Sequence, residues 1–397
     1  MKAELLSAAF SRASRTALGI PILFVAACAT QVAPAPSMAK HERPETARMA
    51  RDRLPAGKPV QEGGIVPAPV TPRQDSAVVK VHFGTNRERD RKSLANQSPP
   101  FFTSQNAGKL IYGTLNVTID AHHEVGDIKK SVHLYEAPSI LREREFLRQL
   151  RKDLAGPGGR KLLVFVHGYN VTFENAAKRT AQIKHDLPFD GEAAFFSWPS
   201  RSNLLGYLAD EKSVRETEPF LEEFLIKLAR ESNAQSIYII AHSMGNRAFT
   251  KVYPRVRAAL AGNTPIKEIM LAAPDVDAEV FRRDLAPQLM GAGCNTTLYS
   301  SSKDKALWGS FLVHGFSKRA GQQVIGLSGL ENVDASTTDT SKLGLGHSYY
   351  AEQFSLLVDL RDLIRGHRPP ERKSTLEESR HQRSAWLLKR VPEESAP

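Results

Sequence analysis

Ser243 stands in Ala241-His242-Ser243-Met244-Gly245, between the apolar run Ile237-Tyr238-Ile239-Ile240 and a helical pattern that starts at Asn246. Small residues two before and two after a serine leave room for a sharp strand-to-helix turn, the nucleophile elbow, which lifts the hydroxyl above the sheet edge. Such a hydroxyl attacks an acyl carbonyl when a histidine takes its proton and a carboxylate fixes that histidine's tautomer. The order Ser, acid, His is met by Asp304, directly after the strand predicted at 296–300, and by His347 in the Gly-rich stretch Leu345-Gly346-His347-Ser348. Ala241 replaces the more usual Gly with the smallest side chain available. A plain helix N-cap is the other account of Ser243.

The oxyanion formed by such an attack needs two N–H donors. One is that of Met244, after the serine; the other is expected from Tyr169, in Val166-His167-Gly168-Tyr169-Asn170 at the exit of an unbroken apolar run. His167 is read as structural, holding that loop by hydrogen bonds, and His242 as packed. Asp275 and His314 are the rivals for acid and base. Asp275, in Ala273-Pro274-Asp275-Val276-Asp277, reads better as a helix N-cap. Leu204, Leu205, Tyr207 and Trp308 are candidate pocket walls. His122, His123, Glu124 and Asp127 cluster on one loop, but adjacent histidines do not converge on one ion as an i, i+4 pair does, so no metal is expected.

The elements that must position these residues alternate. Strands are predicted at 78–87, running into a polar turn at Thr85-Asn86-Arg87, and at 110–119, 161–166, 193–200, 236–241, 266–272 and 296–300; helices are predicted at 140–154, 173–187, 213–230 and 276–289. That rhythm predicts an α/β fold with a mostly parallel sheet, helices on both faces, and ligands beyond the carboxyl ends of the strands. Upstream, Lys2, Arg12 and Arg15 precede a short apolar segment ending Val25-Ala26-Ala27-Cys28. Residues 1–27 read as a secretory leader resembling that of bacterial lipoproteins, with Cys28 the lipidated residue and an outer-membrane, periplasm-facing location. Residues 28–75, rich in Pro and Ala, read as a disordered tether, 76–366 as the folded domain, and 367–397 as a charged mobile tail with a frayed helix near 384–390. The net charge of +11 is dispersed, without a motif that reads bases, so no nucleic-acid partner is expected.

The set His167-Gly168-Tyr169-Asn170, Phe196-Ser197-Trp198-Pro199, Ala241-His242-Ser243-Met244-Gly245-Asn246 and Ala272-Ala273-Pro274-Asp275-Val276-Asp277 resembles a bacterial branch of the α/β-hydrolases catalogued as a domain of unknown function, over about 110–365. The resemblance implies the α/β-hydrolase fold and Ser-Asp-His chemistry without metal or organic cofactor. The expectation is a membrane-anchored serine esterase acting on small-molecule or lipid-like acyl esters. A non-catalytic envelope binding or assembly protein on a hydrolase scaffold is the first alternative, and amide, thioester or perhydrolase chemistry in the same site is the second.

Overall fold

The computed structural model describes residues 75–391, apart from 202–205, 263, 292, 338–353 and 381–383. All of these belong to one compact unit, Val66–Pro397. Cys28, the leader, most of the tether, Leu204, Leu205 and His347 lie outside the described residues.

A central sheet organises the molecule. Its strands are β1 (Ala77–Arg89), β2 (Phe102–Ile119), β3 (Val132–His133), β4 (Ser139–Leu141), β5 (Lys161–Val166), β6 (Glu192–Ser197), β7 (Ser236–His242), β8 (Ile266–Ala272), β9 (Asn295–Ser300), β10 (Glu331–Asp334), β11 (Leu376–Glu378) and β12 (Ala385–Leu388). They run in the order β11-β12-β10-β9-β8-β7-β5-β6-β1-β2-β3, with β4 also on β2. From β1 across to β12 every neighbour pair is parallel, while β2, β3, β4 and β11 pair antiparallel at the margins. The central strands β5, β6 and β7 are almost wholly apolar because helices cover both faces. In β5 and β7, Leu162, Val164, Ile237 and Ile239 face one core, and Leu163, Phe165, Tyr238 and Ile240 the other.

The first core is closed by helices α2 (Glu143–Leu154), α4 (Tyr207–Glu216), α5 (Glu218–Glu231) and α6 (Gly245–Ala259). Through Phe146, Val214, Phe224 and Phe249 they fill it with large side chains, each contributing about 1.5–3 kcal/mol by burial. The second is closed by α3 (Phe173–Asp186) and a last helix, Phe354–Ile364. A five-residue helix, α1 (Arg91–Ala95), buries nothing. Among the described residues, no helix is long and apolar enough to cross a membrane.

Several expectations are corrected. The helix expected over 213–230 is two, broken at Thr217, where Pro219 in the first turn of α5 supplies no N–H and the Thr217 hydroxyl donates to Asn86 Oδ1 at 2.7 Å. The segment expected as one helix over 276–289 is α7 (Ala278–Val280), a π-helical turn (Phe281–Leu285) and α8 (Ala286–Leu289). Thr85-Asn86-Arg87 is not a polar turn but buried strand. Most consequential, residues 367–397 are not simply a mobile tail, and 385–388 is strand rather than helix. β12 inserts between β10 and β11, and Arg368 and Arg372 reach Glu268, Glu331 and Asp359 in the fold. A charge-rich segment folds here because each buried charge finds an opposite partner.

Candidate active site

The parallel strands β5, β7, β8 and β9 all end on the same side of the sheet, and Tyr169, Ser243, Asp275 and Asp304 follow those ends in turn. Between β7 and α6, Ser243 has φ +50°, a left-handed conformation costing a non-glycine residue on the order of 1–3 kcal/mol. The surroundings hold it there. The Ser243 N–H donates to Ala272 O at 2.9 Å, and Asn246 Nδ2 donates to Ala241 O at 2.9 Å and Ser243 O at 3.2 Å. Asn246 is therefore the clamp of the turn, and it is wholly buried.

Two glycines let the β5 exit close on this turn. A Cβ on Gly168 would lie 2.7 Å from the Cβ of Ser243, and one on Gly245 would lie 2.4 Å from His167 O. Tyr169 follows Gly168 and Met244 follows Ser243, so this contact makes the two peptides that carry their N–H groups neighbours. Met244 sits at the N-cap of α6, where free N–H groups and the helix dipole favour negative charge. The half-buried Tyr169 ring meets Tyr207 edge-on at 5.3 Å.

The β5 exit is itself held from below. His167 Nε2 accepts from the Trp198 N–H at 3.1 Å, which places the ring proton on Nδ1, donating to Gly168 O at 2.8 Å. The Trp198 indole returns a bond to His167 O at 2.8 Å and stacks on the imidazole at 5.1 Å. Burial, then the nearby Arg87 charge, lowers the His167 pKa to about 3, so the ring is neutral. This is the structural histidine read from the sequence. Arg87, fully buried, ties the same region together: Nε donates to Ser197 Oγ at 2.8 Å, Nη1 to Ser200 O at 3.2 Å, and Nη2 to Val171 O at 2.7 Å. Burial lowers its pKa to about 10, which leaves it charged at neutral pH.

Asp304 follows β9 and is completely buried, its Oδ1 accepting the Ala306 and Leu307 N–H groups at 3.0 Å as N-cap of α9 (Lys305–Val313). Asp275 is not the helix cap expected of it; Asp277 caps α7 through Val280 N at 2.8 Å. Asp275 instead anchors an ionic cluster. Its Oδ2 accepts from Tyr207 Oη at 2.6 Å and Arg247 Nη2 at 3.1 Å, and its Oδ1 from Ser310 Oγ and from Arg319 Nε at 2.9 Å. Four donors occupy the capacity of one carboxylate. Although burial opposes it, the two arginines hold the Asp275 pKa down to about 2. His314 is engaged at both nitrogens, with Ser310 O at 2.7 Å and Glu211 Oε1 at 2.6 Å, and so is built into this cluster. His242 is buried next to Gly168.

Tyr207, read as a pocket wall, belongs to the Asp275 cluster, and Trp308 is half exposed. In the His122 loop, His123 is taken by Ser131 Oγ at 2.7 Å and Asp186 Oδ1 at 3.0 Å, and Asp127 accepts from three consecutive N–H groups. Sequence reasoning misses Arg87, Glu211, Arg247 and Arg319. For Arg247 a signal exists: it lies four residues after Ser243, one turn along the same helix face.

A family model described as "Alpha/beta hydrolase of unknown function (DUF900)" matches residues 142–366. None of the curated proteins compared matches the sequence. Among solved structures, an inhibited esterase B from Lactobacillus rhamnosis is similar at 11% identity and a TM-score of 0.28, over 75% of this chain and 92% of that one.

Proposed function

The chain belongs to this family of α/β hydrolases, and from that premise we propose that it is a serine hydrolase cleaving acyl esters through an acyl-enzyme. Ser243 Oγ attacks the acyl carbonyl while His347 takes its proton. The N–H groups of Met244 and Tyr169 hold the oxyanion, and His347 returns the proton to the departing alkoxide. Water, deprotonated by the same histidine, then releases the acid. Asp304 fixes the imidazole tautomer and stabilises its charged form. One observation carries the reading: a serine held at φ +50° at the end of β7 with Gly168 of the β5 exit against its Cβ. Asp304 is favoured over Asp275 as the acid because the oxygens of Asp275 are committed to two arginines and two hydroxyls.

The proposal extends to the upstream chain: residues 1–27 as leader, Cys28 as lipidated anchor and 28–75 as tether, with the hydrolase facing the periplasm from the outer membrane. The test is labelling with a fluorophosphonate, comparing the parent with Ser243→Ala and His347→Ala, then hydrolysis of p-nitrophenyl esters of rising chain length. Labelling abolished by both substitutions supports the triad; a folded parent that takes no label refutes it. Cys28→Ser should abolish metabolic incorporation of labelled palmitate into the protein, and incorporation that survives the change refutes the anchor.

A further inference from the structure

The helix α9 is amphipathic in the wrong sense for a solvent-facing helix. Its inward positions are Leu307 and Ser310, and the Ser310 hydroxyl is spent on Asp275 and Tyr207. Its outward positions and the turn after it are apolar: Trp308 is 50% exposed, Leu312 59%, Val313 55% and Phe316 70%. The aromatic rings touch in a chain, Trp308 to Phe311 at 5.2 Å and Phe311 to Phe316 at 5.5 Å, edge to face. Next to it, Tyr207 of α4 packs on His314 at 5.9 Å, and the adjoining Leu208 is 67% exposed. A surface helix normally turns such side chains inward, so a contiguous exposed set marks a contact site.

The charges around this set select the occupant. Between 303 and 319 the exposed charged side chains are Lys303, Lys305 and Lys318, whereas Asp304 and Arg319 are buried. An apolar face rimmed by lysines is the composition of a helix that lies in the interface of an anionic bilayer, its Trp and Phe at the headgroup level and its lysines on the phosphates. We propose that the folded domain docks on an anionic phospholipid surface through α9 and the turn to Phe316, independently of any N-terminal lipid. Because Asp304 caps α9, the docked face adjoins the carboxyl ends of the strands where the site lies.

The full chain is mixed with vesicles of phosphatidylcholine and phosphatidylglycerol whose acyl chains are dibrominated, and tryptophan emission is followed. Of the three tryptophans, Trp198 is fully buried and Trp386 partly so, which leaves Trp308 as the reporter. Docking quenches and blue-shifts emission, and Trp308→Phe removes the quenched component. Leu312→Ser/Val313→Ser/Phe316→Ser shifts the lipid midpoint upward by roughly 100-fold or more, while fluorophosphonate labelling is retained. Pure phosphatidylcholine binds more weakly, as do Lys303→Gln and Lys305→Gln. Unchanged emission on anionic vesicles overturns the proposal, as does quenching that survives the triple change. A dimer seen by sedimentation and lost in the triple variant, without quenching, assigns the face to a second copy and likewise overturns it. Labelling is read in every arm, so failure to dock is distinguishable from failure of the serine chemistry.

Discussion

Arg372 Nη1 lies 3.1 Å from Asp359 Oδ2, and both side chains are wholly buried. Asp359 also accepts from Tyr299 Oη at 2.8 Å and Thr375 Oγ1 at 2.6 Å, and Arg372 Nη2 reaches Glu331 at 2.7 Å. Removing one partner of such a pair leaves an uncompensated buried charge. Arg372→Met should therefore lower unfolding free energy in urea by about 3–5 kcal/mol. Ending the chain after Gly366, where the family match stops, should leave a protein without a cooperative thermal transition.

The two acids separate by what each holds. Asp304→Asn keeps a good N-cap, so stability should change by less than about 0.5 kcal/mol, while ester turnover falls on the order of 10⁴-fold. Asp275→Asn takes the charge partner from the buried Arg319 and one of two from Arg247, which keeps Glu211, and should cost about 3 kcal/mol of stability. Urea denaturation and kcat measured on both variants decide between these assignments, and the reverse pattern would make Asp275 the acid.

Gly245→Ala should fold and fail to react. The added methyl lands 2.4 Å from His167 O, a backbone atom that cannot swing aside, and must push the β5 exit away from Ser243. A displacement near 1 Å at a reacting centre costs about 100-fold. Circular dichroism should be unchanged and the fluorophosphonate labelling rate reduced by that factor or more.

His167 should make the fold acid-labile. Its folded pKa is lowered from 6.5 to about 3 by burial. Below pH 6.5 the unfolded chain binds a proton that the folded chain refuses, so stability falls as pH drops from 6.5 toward 3. Each pH unit in that window costs up to about 1.4 kcal/mol. Between pH 7 and pH 5 the loss from this residue is about 2 kcal/mol. His167→Gln, though less stable at pH 7, should show a correspondingly flatter dependence in urea titrations at the two pH values.

The sheet is legible in the sequence from β5 to β9, most clearly where a parallel strand covered on both faces is an unbroken apolar run, as in Leu162-Leu163-Val164-Phe165-Val166. The turn at Ser243 is legible because small neighbours are needed within the same few residues. What escapes is decided across long sequence distances. Thr85-Asn86-Arg87 reads as surface because its acceptors are Ser197, Ser200 and Val171. Arg372 reads as tail because its carboxylates lie on β10 and on the last helix. Asp275 and Asp277 are both plausible caps two residues apart, and only the approach of Arg247, Arg319 and Tyr207 separates them.

The parallel pairing of Asn332 with Ala385 has a consequence for synthesis. Antiparallel β11 and β12 can zip as soon as both have emerged into the compartment where the domain folds, but β10 has no neighbour on that side until β12 is present. Until then its edge is open. A nascent or prematurely ended chain is thus held back from closing that flank, and remains a substrate for proteases that a finished sheet would resist. Completion of the fold and completion of this stretch of chain become the same event.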